Sequence, residues 1–488
     1  MMSTLSSAIF EARKVYLWGL VAVFFAVTVS LAVSLQMGLA VALLIVVGWW
    51  AWLNPAEGFL FLVAVAPILP LLKVTQTIST VTLIKDVLIF VLFARVFVSP
   101  LIKKQLVYRR NYLFAPIFAL AIWTLLQVFR ADSIVLGVLR AREIGLYVLI
   151  YFVTLFLPVS RRYWAKAVVF FSGSVLAVVL LGWYQWFFAI DSTVLRYDPN
   201  LALWIPRISS VLGHPSVLGH YLLFASSLAL GIFLYVNSKS VRGLAVVFGL
   251  LMLPTIYLTY SRAVWLGVAV TAVTAVTVYL SSSWIRTGRL KLNWKSISIL
   301  TAIVGVLLYG VLSFTRAGTL LRTAIDPTYA SNEERLIFMA RLISPLSYKE
   351  SMYGLGLGDV LAQNFREVDV TGFDIASGDA RGVQLAKNKT LVDNQYLKTL
   401  VEMGLFGVLI YVWIFIRFAK YGWRAIFKQD ADSRIVGLWA VGFLASFVLQ
   451  GFFIDVWDIF PTNALFWILA GVLGLYLTPP IDRKKDYC

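Results

Sequence analysis

The chain has one cysteine, Cys488, and only two histidines, His214 and His220. A lone thiol excludes an intrachain disulfide and a thiolate metal cluster. Two histidines with no third ligand at matching spacing do not make a metal site. Charge is scarce too: 14% of the 488 residues are charged, with 24 acidic against 42 basic. Asp369, Asp374 and Asp379 are too widely spaced for a calcium loop. The period-2 alternation of barrel strands is missing, and no internal repeat of useful strength is visible, which counts against inverted-repeat transporters.

What the chain has instead is apolar surface. Hydrophobic residues make up 60% and the mean hydropathy is +0.86, which excludes an ordinary soluble globule. The apolar runs continue for roughly 17 to 25 residues, the thickness of a hydrocarbon core, so the expected fold class is all-α: a polytopic integral membrane protein with about 12 to 14 transmembrane helices and one large extracytoplasmic loop. Candidate spans lie near Val15 to Leu35, Met37 to Leu53, Gly58 to Leu72, Val81 to Val98, Tyr112 to Val128, Ile144 to Val159 and Trp164 to Ala189. Further spans lie near Val217 to Val236, Gly243 to Thr259, Ala263 to Leu280, Ile297 to Phe314, Tyr396 to Phe418, Ile435 to Phe453 and Ile459 to Leu477. The segments around Trp50 and Leu72 read as one broken helix or two short ones. This divides the chain into N-terminal transmembrane helices over 1–313, a large loop with an amphipathic helix over 314–395, and three C-terminal transmembrane helices with a tail over 396–488. The opening residues, with Glu11, Arg13 and Lys14 before a long first span, read as a retained helix and not a signal peptide.

The formal charge of +18 would suggest nucleic acid in a soluble protein. Here the cations are spread over short loops, and sorting of positive residues to the cytoplasmic side accounts for most of them, leaving the lipid bilayer and no nucleic acid as the expected partner. With both termini cytoplasmic, Lys103, Lys104, Arg161, Arg162, Lys239, Arg286, Lys420, Arg434 and Lys485 all fall inside, and the long polar loop falls outside the plasma membrane. Arginines on the outer side need another reason: Arg130, Arg140, Arg142, Arg196, Arg207, Arg262, Arg316, Arg322, Arg335 and Arg341. Facing lipid, each costs roughly 2.5 to 3.5 kcal/mol. A water-filled cavity or an anionic ligand removes most of that cost, and guanidinium forks suit phosphate oxygens. The alternative is pairing with Asp132, Glu143, Asp191 or Asp198.

Three places can carry chemistry. Arg207 precedes a turn punctuated by Gly213 and Pro215, and the helix that follows points its N-terminal dipole outward, toward an anion held by Arg207. His214 and His220 flank that helix start and read as capping or interfacial residues, with His214 also a candidate substrate contact. Ser261 and Arg262 sit where two apolar spans meet with almost no loop, where simple snorkelling is the plainer reading. In the long loop, Arg335 lies in an amphipathic stretch, Glu333 to Leu342, followed by the Gly-rich turn Gly354 to Gly358. That turn is not a dinucleotide fingerprint, because no strand-helix unit surrounds it. Asp393 opens the next helix, where it reads both as an N-cap and as a general base for a sugar hydroxyl. Glu402, Gly404 and Gly407 follow, the glycines allowing close helix packing.

At these residues the chain resembles the O-antigen ligase and O-antigen polymerase superfamily of bacterial envelope enzymes, with a GT-C-like arrangement of helices. The likeness rests on Arg207, Gly213 and Pro215; on Ser261 and Arg262; on Arg335 before the Gly-rich turn; and on Asn394, Tyr396 and Leu397 leading to Glu402, Gly404 and Gly407. It covers roughly the second half of the chain. The resemblance implies a metal-independent, cofactor-free, inverting glycosyl transfer from a glycan on polyprenyl diphosphate, at the outer face of the plasma membrane. Arg207 and Arg262 would then hold the leaving diphosphate, with Asp393 as base and Arg335, Arg140, His214, Asn394 and Tyr396 as substrate contacts. Ligases of this family typically have a histidine just before that Asn, where this chain has Asp393. A polymerase of lipid-linked repeat units for a capsule, O-antigen, exopolysaccharide or teichuronic acid is therefore favoured, with flippase and chain-length regulator proteins as partners. A ligase of finished glycan is the alternative within the enzyme class. A transporter or flippase is the alternative outside it, but the spans from Val217 to Phe314 are nearly uncharged internally, which favours surface chemistry.

Overall fold

The computed structural model describes residues 35–69, 82–104, 112–198, 203–287, 346–358 and 394–477. The spans expected at Val15 to Leu35 and Ile297 to Phe314, together with Arg316, Arg322, Arg335, Arg341 and Asp393, lie outside the described residues, Leu35 excepted. The described chain is helical: α1 (Leu35–Leu53), α2 (Pro55–Val65), α3 (Thr82–Phe93), α4 (Phe114–Arg130), α5 (Ile134–Phe156), α6 (Arg161–Phe188), α7 (Pro215–Tyr235), α8 (Lys239–Leu258), α9 (Arg262–Thr287), α10 (Tyr348–Tyr353), α11 (Gln395–Ile426), α12 (Ala431–Gln450) and α13 (Thr462–Leu477). Six of these are long and apolar enough to cross a membrane, namely α6 to α9, α11 and α12. The protein is an all-α polytopic membrane protein. Phe129, Ile134, Val169, Phe188 and Leu244 are exposed along the outer faces, as lipid-facing side chains should be.

The ambiguous segment near Trp50 is two helices, parted at Asn54, because Pro55 suits a helix start and disfavours continuation of the preceding one. Helix α3 runs on through a π turn at Ala94–Val98. Helix α5 starts ten residues before the expected span. Ser133 caps it by accepting from the Leu136 amide, and hydropathy missed the first turns because they carry Arg140, Arg142 and Glu143. One departure from helix is a two-stranded antiparallel ribbon, β1 (Val194–Asp198) with β2 (Leu203–Arg207), pairing Val194 with Arg207 and Asp198 with Leu203. Arg207 therefore ends a strand instead of lying in an open loop.

Helix α12 is central, packed on α7, α9, α11 and α13. Helix α13 is apolar all round and almost wholly buried, the signature of an interior helix. Small residues let these helices approach closely: a Cβ on Gly437 would stand 2.7 Å from the Gly422 carbonyl oxygen, and one on Gly471 would stand 2.5 Å from Thr154 Cβ. Aromatic rings fill the remaining space, with Phe447 and Phe466 stacked at 5.1 Å and Trp457 set between Tyr411 and Phe415.

Helix α11 is not continuous. Gly404 has φ 66° and ψ −175°, so the helix breaks about two and a half turns inside the membrane-spanning run. The break leaves carbonyls without helical partners, and the Gly-rich turn supplies them: Leu355 N–H donates to Val401 O at 2.8 Å and Gly356 N–H to Glu402 O at 3.3 Å. Helix α4 clamps the other side of that turn through Gln127 Nε2 to Tyr353 O at 2.6 Å and Arg130 Nη2 to Gly354 O at 2.8 Å, while Trp123 Nε1 reaches Met403 O at 2.8 Å. Glycine is required at both contacting positions. A Cβ on Gly404 would stand 2.3 Å from Met352 O, and one on Gly354 would stand 2.6 Å from Glu402 O, each at positive φ. The expected helix packing by Gly404 is thus replaced by a backbone junction.

Gly404→Ala combines a glycine-only conformation, worth about 1–3 kcal/mol, with a backbone clash, and should lower the melting temperature in detergent. Gly243→Ala on α8, where a Cβ meets nothing within 4 Å, should leave it level or raise it slightly. Scanning fluorimetry on the purified variants measures both.

Candidate active site

Two polar clusters lie at one end of the helix bundle. The first is built on Arg140 from α5, which is 4% exposed. Its Nε donates to both Glu402 oxygens at 3.2 and 3.0 Å, Nη1 to Glu143 Oε2 at 3.0 Å, and Nη2 to Asp458 Oδ2 at 2.5 Å. Lys398, one turn above Glu402 on α11, reaches Asp455 at 3.3 Å and Asp458 at 3.2 Å. Gln395 Nε2 donates to Asp458 Oδ2 at 3.0 Å and its Oε1 accepts from Trp457 N–H, while Gly358 N–H closes on Glu402 Oε1 at 3.3 Å. Burial alone would raise the Asp458 carboxyl, but Arg140 and Lys398 outweigh it and hold it well below the carboxylate range. Asp455 goes the other way: burial raises it, and Lys398 offsets only part of that rise.

The second cluster joins the two turns that sequence separates by some fifty residues. Arg207, 7% exposed, donates through Nε to Thr259 O at 2.8 Å, and the next amide, Ile208 N–H, donates to Leu258 O at 3.1 Å. Ser216 and Ser261 hydroxyls stand 3.5 Å apart. The Arg207 turn and the Ser261–Arg262 junction are therefore one surface, at the N-termini of α7 and α9. Both carry strained backbone, with φ 51° at Ser210 and φ 46° at Tyr260. Gln185 at the end of α6 holds the first turn: its Oε1 accepts from Ser209 and Ser210 N–H while its Nε2 donates to Ser192 O.

His214 caps α7, its Nδ1 accepting from Ser216 N–H at 3.3 Å. Desolvation where the ring backs onto the turn and, after it, the charge of Arg207 hold the imidazole down at about 4. The His214 side chain is exposed, and its capping bond uses the free Nδ1 lone pair of the neutral imidazole. His220 is neither cap nor interfacial residue. It is 3% exposed, and its Nε2 lies 2.7 Å from Gln450 Oε1. Gln450 Nε2 donates to Ala263 O at 2.5 Å, so its oxygen must face His220 and the histidine carries its proton on Nε2.

Gln450 and Gly451 also connect the two clusters. Gly451 O accepts from Gln395 N–H at 2.7 Å, beside Asp458, while Gln450 reaches the residue after Arg262. The α11 cap is Asn394, whose Oδ1 accepts from Leu397 N–H at 3.0 Å; the residue expected to cap, Asp393, is the one before it. Tyr396 donates its hydroxyl to Val448 O at 2.7 Å and packs on Phe452 and Trp457. Arg140, Asn394 and Tyr396, expected to touch substrate, each also hold a protein partner. Arg130 binds the Gly-rich turn and Arg142 pairs with Asp86, which accounts for two more of the outer-side arginines. Lys398, Asp455, Asp458, Gln185 and Gln450 were not singled out from sequence. Their signal is polarity within or between apolar runs, which is costly unless satisfied.

Residues 247–412, about a third of the chain, match the family model described as O-antigen ligase. Over that stretch the chain is similar to the O-antigen ligase and polymerase superfamily. No curated protein matches it. The O-antigen ligase match runs from within α8 to beyond the α11 break, so it holds Ser261, Arg262, Arg335, Asp393, Asn394, Glu402 and Gly404, while Arg140, Arg207, His214, Asp455 and Asp458 lie outside it. That likeness, together with the membrane-spanning helices, points to glycosyltransferase-like glycan processing at a membrane.

Arg140→Met leaves buried carboxylates uncompensated and should cost about 3–5 kcal/mol, seen as a lower detergent melting temperature, whereas exposed Arg162→Met should change it by less than about 0.5 kcal/mol. Because the folded pKa of His214 is below the unfolded value of about 6.5, the unfolded state binds the extra proton. The contribution of its cap is therefore complete above about 6.5 and is lost as pH falls toward about 4. His214→Asn, which caps without titrating, should narrow the fall in melting temperature across that window.

Proposed function

We propose that the protein polymerises polyprenyl-diphosphate-linked repeat units into a cell-surface polysaccharide at the outer face of the plasma membrane, with both termini cytoplasmic. The observation that carries this reading is the contact between the Arg207 turn and the Ser261–Arg262 junction, which puts two arginine-bearing segments at two helix N-termini on one surface. Guanidinium groups and helix N-termini both favour a diphosphate. In the reaction, a hydroxyl oxygen of the acceptor glycan attacks the anomeric carbon of the donor. The bond from that carbon to the diphosphate oxygen breaks with inversion, and the diphosphate leaves on its lipid carrying the bonding electrons. Arg207 and Arg262 stabilise the charge that grows there. Asp393, next to the α11 cap, takes the hydroxyl proton. Arg335 is a third diphosphate contact in this reading. The polymerase assignment rests on Asp393 standing where ligases of the superfamily typically carry histidine.

With purified protein and lipid-diphosphate repeat units, a ladder of products should form. Arg207→Ala and Arg262→Ala should each reduce its rate by about 100-fold or more, and Arg207→Lys should recover only part, since an ammonium cannot fork two phosphate oxygens. Asp393→Asn should cost about 10²–10⁴ in rate. Normal turnover by both alanine variants, at unchanged melting temperature, would overturn the diphosphate clamp. A single addition to a lipid or protein acceptor, with no ladder, would favour ligation.

A further inference from the structure

Helix α6 carries a lipid-facing stripe that does not stop where the helix does. Val169, Leu176, Leu180, Tyr184 and Phe188 recur at helical spacing and are all exposed, with Tyr184 and Phe188 stacked at 5.7 Å. The helix has 28 residues, about 42 Å, which matches a hydrocarbon core of about 30 Å together with its two polar interfaces. One end carries exposed Arg162 and Lys166, and the other ends in the aromatic run Trp183, Tyr184, Trp186, Phe187 and Phe188, as at the two surfaces of a bilayer.

The two-stranded ribbon continues that surface. From Phe188 the chain passes through the 3₁₀ turn Ile190–Ser192, held to α6 by the Gln185 bond to Ser192 O at 2.8 Å, and enters β1. Register sorts the two faces of the ribbon. Leu195 pairs with Pro206, so Leu195, Pro206 and Trp204 share one face, while Val194, Ile205 and Arg207 share the other. The second face is turned into the protein, with Ile205 3% exposed and Arg207 buried as well. The first is open, 56% exposed at Leu195 and 45% at Trp204. A ribbon with one face in water favours polar side chains there. This one presents leucine, proline and tryptophan, and the chain leading into it exposes Phe188 and Ile190.

We infer that the open face of the ribbon beds into the interface of the bilayer leaflet in which α6 ends, the outer one in the orientation proposed above, and so sets the height of the Arg207 turn. The occupant is the lipid surface because the patch prolongs a stripe that already faces lipid, and because tryptophan and tyrosine concentrate at headgroup level. Arg207 lies three residues beyond Trp204, about 10 Å along the strand and on the opposite face. An anchor at the boundary of headgroups and acyl chains therefore keeps its guanidinium within reach of lipid phosphates. The height role rests on the proposed function, and the membrane contact does not. A partner protein and a second copy of the chain are the competing occupants.

The test uses the full chain in nanodiscs, with Cys488→Ser to remove its one thiol and single nitroxides attached through Leu195→Cys, Trp204→Cys or Leu176→Cys. Collision rates with oxygen and with a nickel chelate report depth. The labels at 195 and 204 should lie about 5–10 Å into the boundary of headgroups and acyl chains, shallower than the label at 176 near the middle of α6. With the label at 195 in place, Trp204→Glu should raise nickel collisions toward those of a free nitroxide in buffer, and Trp204→Phe should leave them low. Trp204→Glu should also raise KM for the lipid-linked donor at unchanged kcat, which a general loss of folded protein would not do. Labels as open to nickel as the free nitroxide, or shielded from oxygen and nickel alike as at a protein contact, would overturn the membrane contact, while a product ladder left the proposed function standing. Labels at depth that Trp204→Glu draws into water with no change in KM would sink the height role. Labels at depth on a chain that makes no ladder would count against the proposed function and leave the membrane contact in place.

Discussion

One guanidinium holds together parts of the chain that are hundreds of residues apart. Arg140 on α5 binds Glu402 on α11 and Asp458 between α12 and α13, 262 and 318 residues away. In surroundings as apolar as these, none of the three charges is tolerable alone, because an unpaired buried ion costs several kcal/mol. Together, and with Lys398, Asp455, Gln395 and the Gly358 amide closing the remaining sites, they are satisfied. The network fixes where α11 begins, where the loop before α13 sits, and how the Gly-rich turn approaches. Everything proposed to act at that end of the bundle is mounted on this frame.

The break at Gly404 depends on the same frame. Backbone groups freed inside a membrane-spanning run must find partners within the protein. Here they find the amides of Leu355 and Gly356, so the turn and the break exist for each other. The Gly-rich turn is held at Val401 and Glu402, seven residues along α11 from its cap Asn394, a rise of about 10 Å. The turn and the Gln395 contact to Asp458 therefore share the first turns of α11.

Sequence alone located most of the spans and singled out the Arg207 and Arg262 turns, because apolar run length and an arginine beside a helix end are local signals. It did not locate the partners. That Arg140 binds Glu402 and Asp458 could not be read, since those carboxylates come from distant segments and Asp458 lies in a short gap between apolar runs. Asp393 and Asn394 are both good caps by type, and the choice between them is one residue of helix phase. His220 looked peripheral because it follows a turn closely; that it points into the bundle is decided by Gln450, 230 residues on. The break at Gly404 was missed for a similar reason: a glycine in an apolar helix reads as packing until its backbone partner is known.

Gln450 shows how the two clusters are kept in register. Its amide has one orientation that works, with nitrogen toward Ala263 O and oxygen toward His220; the reverse would set its nitrogen against the histidine N–H and its oxygen against a carbonyl. The next residue, Gly451, offers its carbonyl to Gln395. The end of α12 thus touches the residue after Arg262 on one side and the second residue after Asp393 on the other. A rotation or axial slip of α12 would move both together, and a displacement of 1 Å at reacting groups costs about 100-fold in rate. For the proposed reaction between two lipid-tethered glycans, in which the protein would supply alignment and charge, a buried amide bonded at both ends and joining the arginine turn to the carboxylate helix is the kind of constraint the chemistry requires.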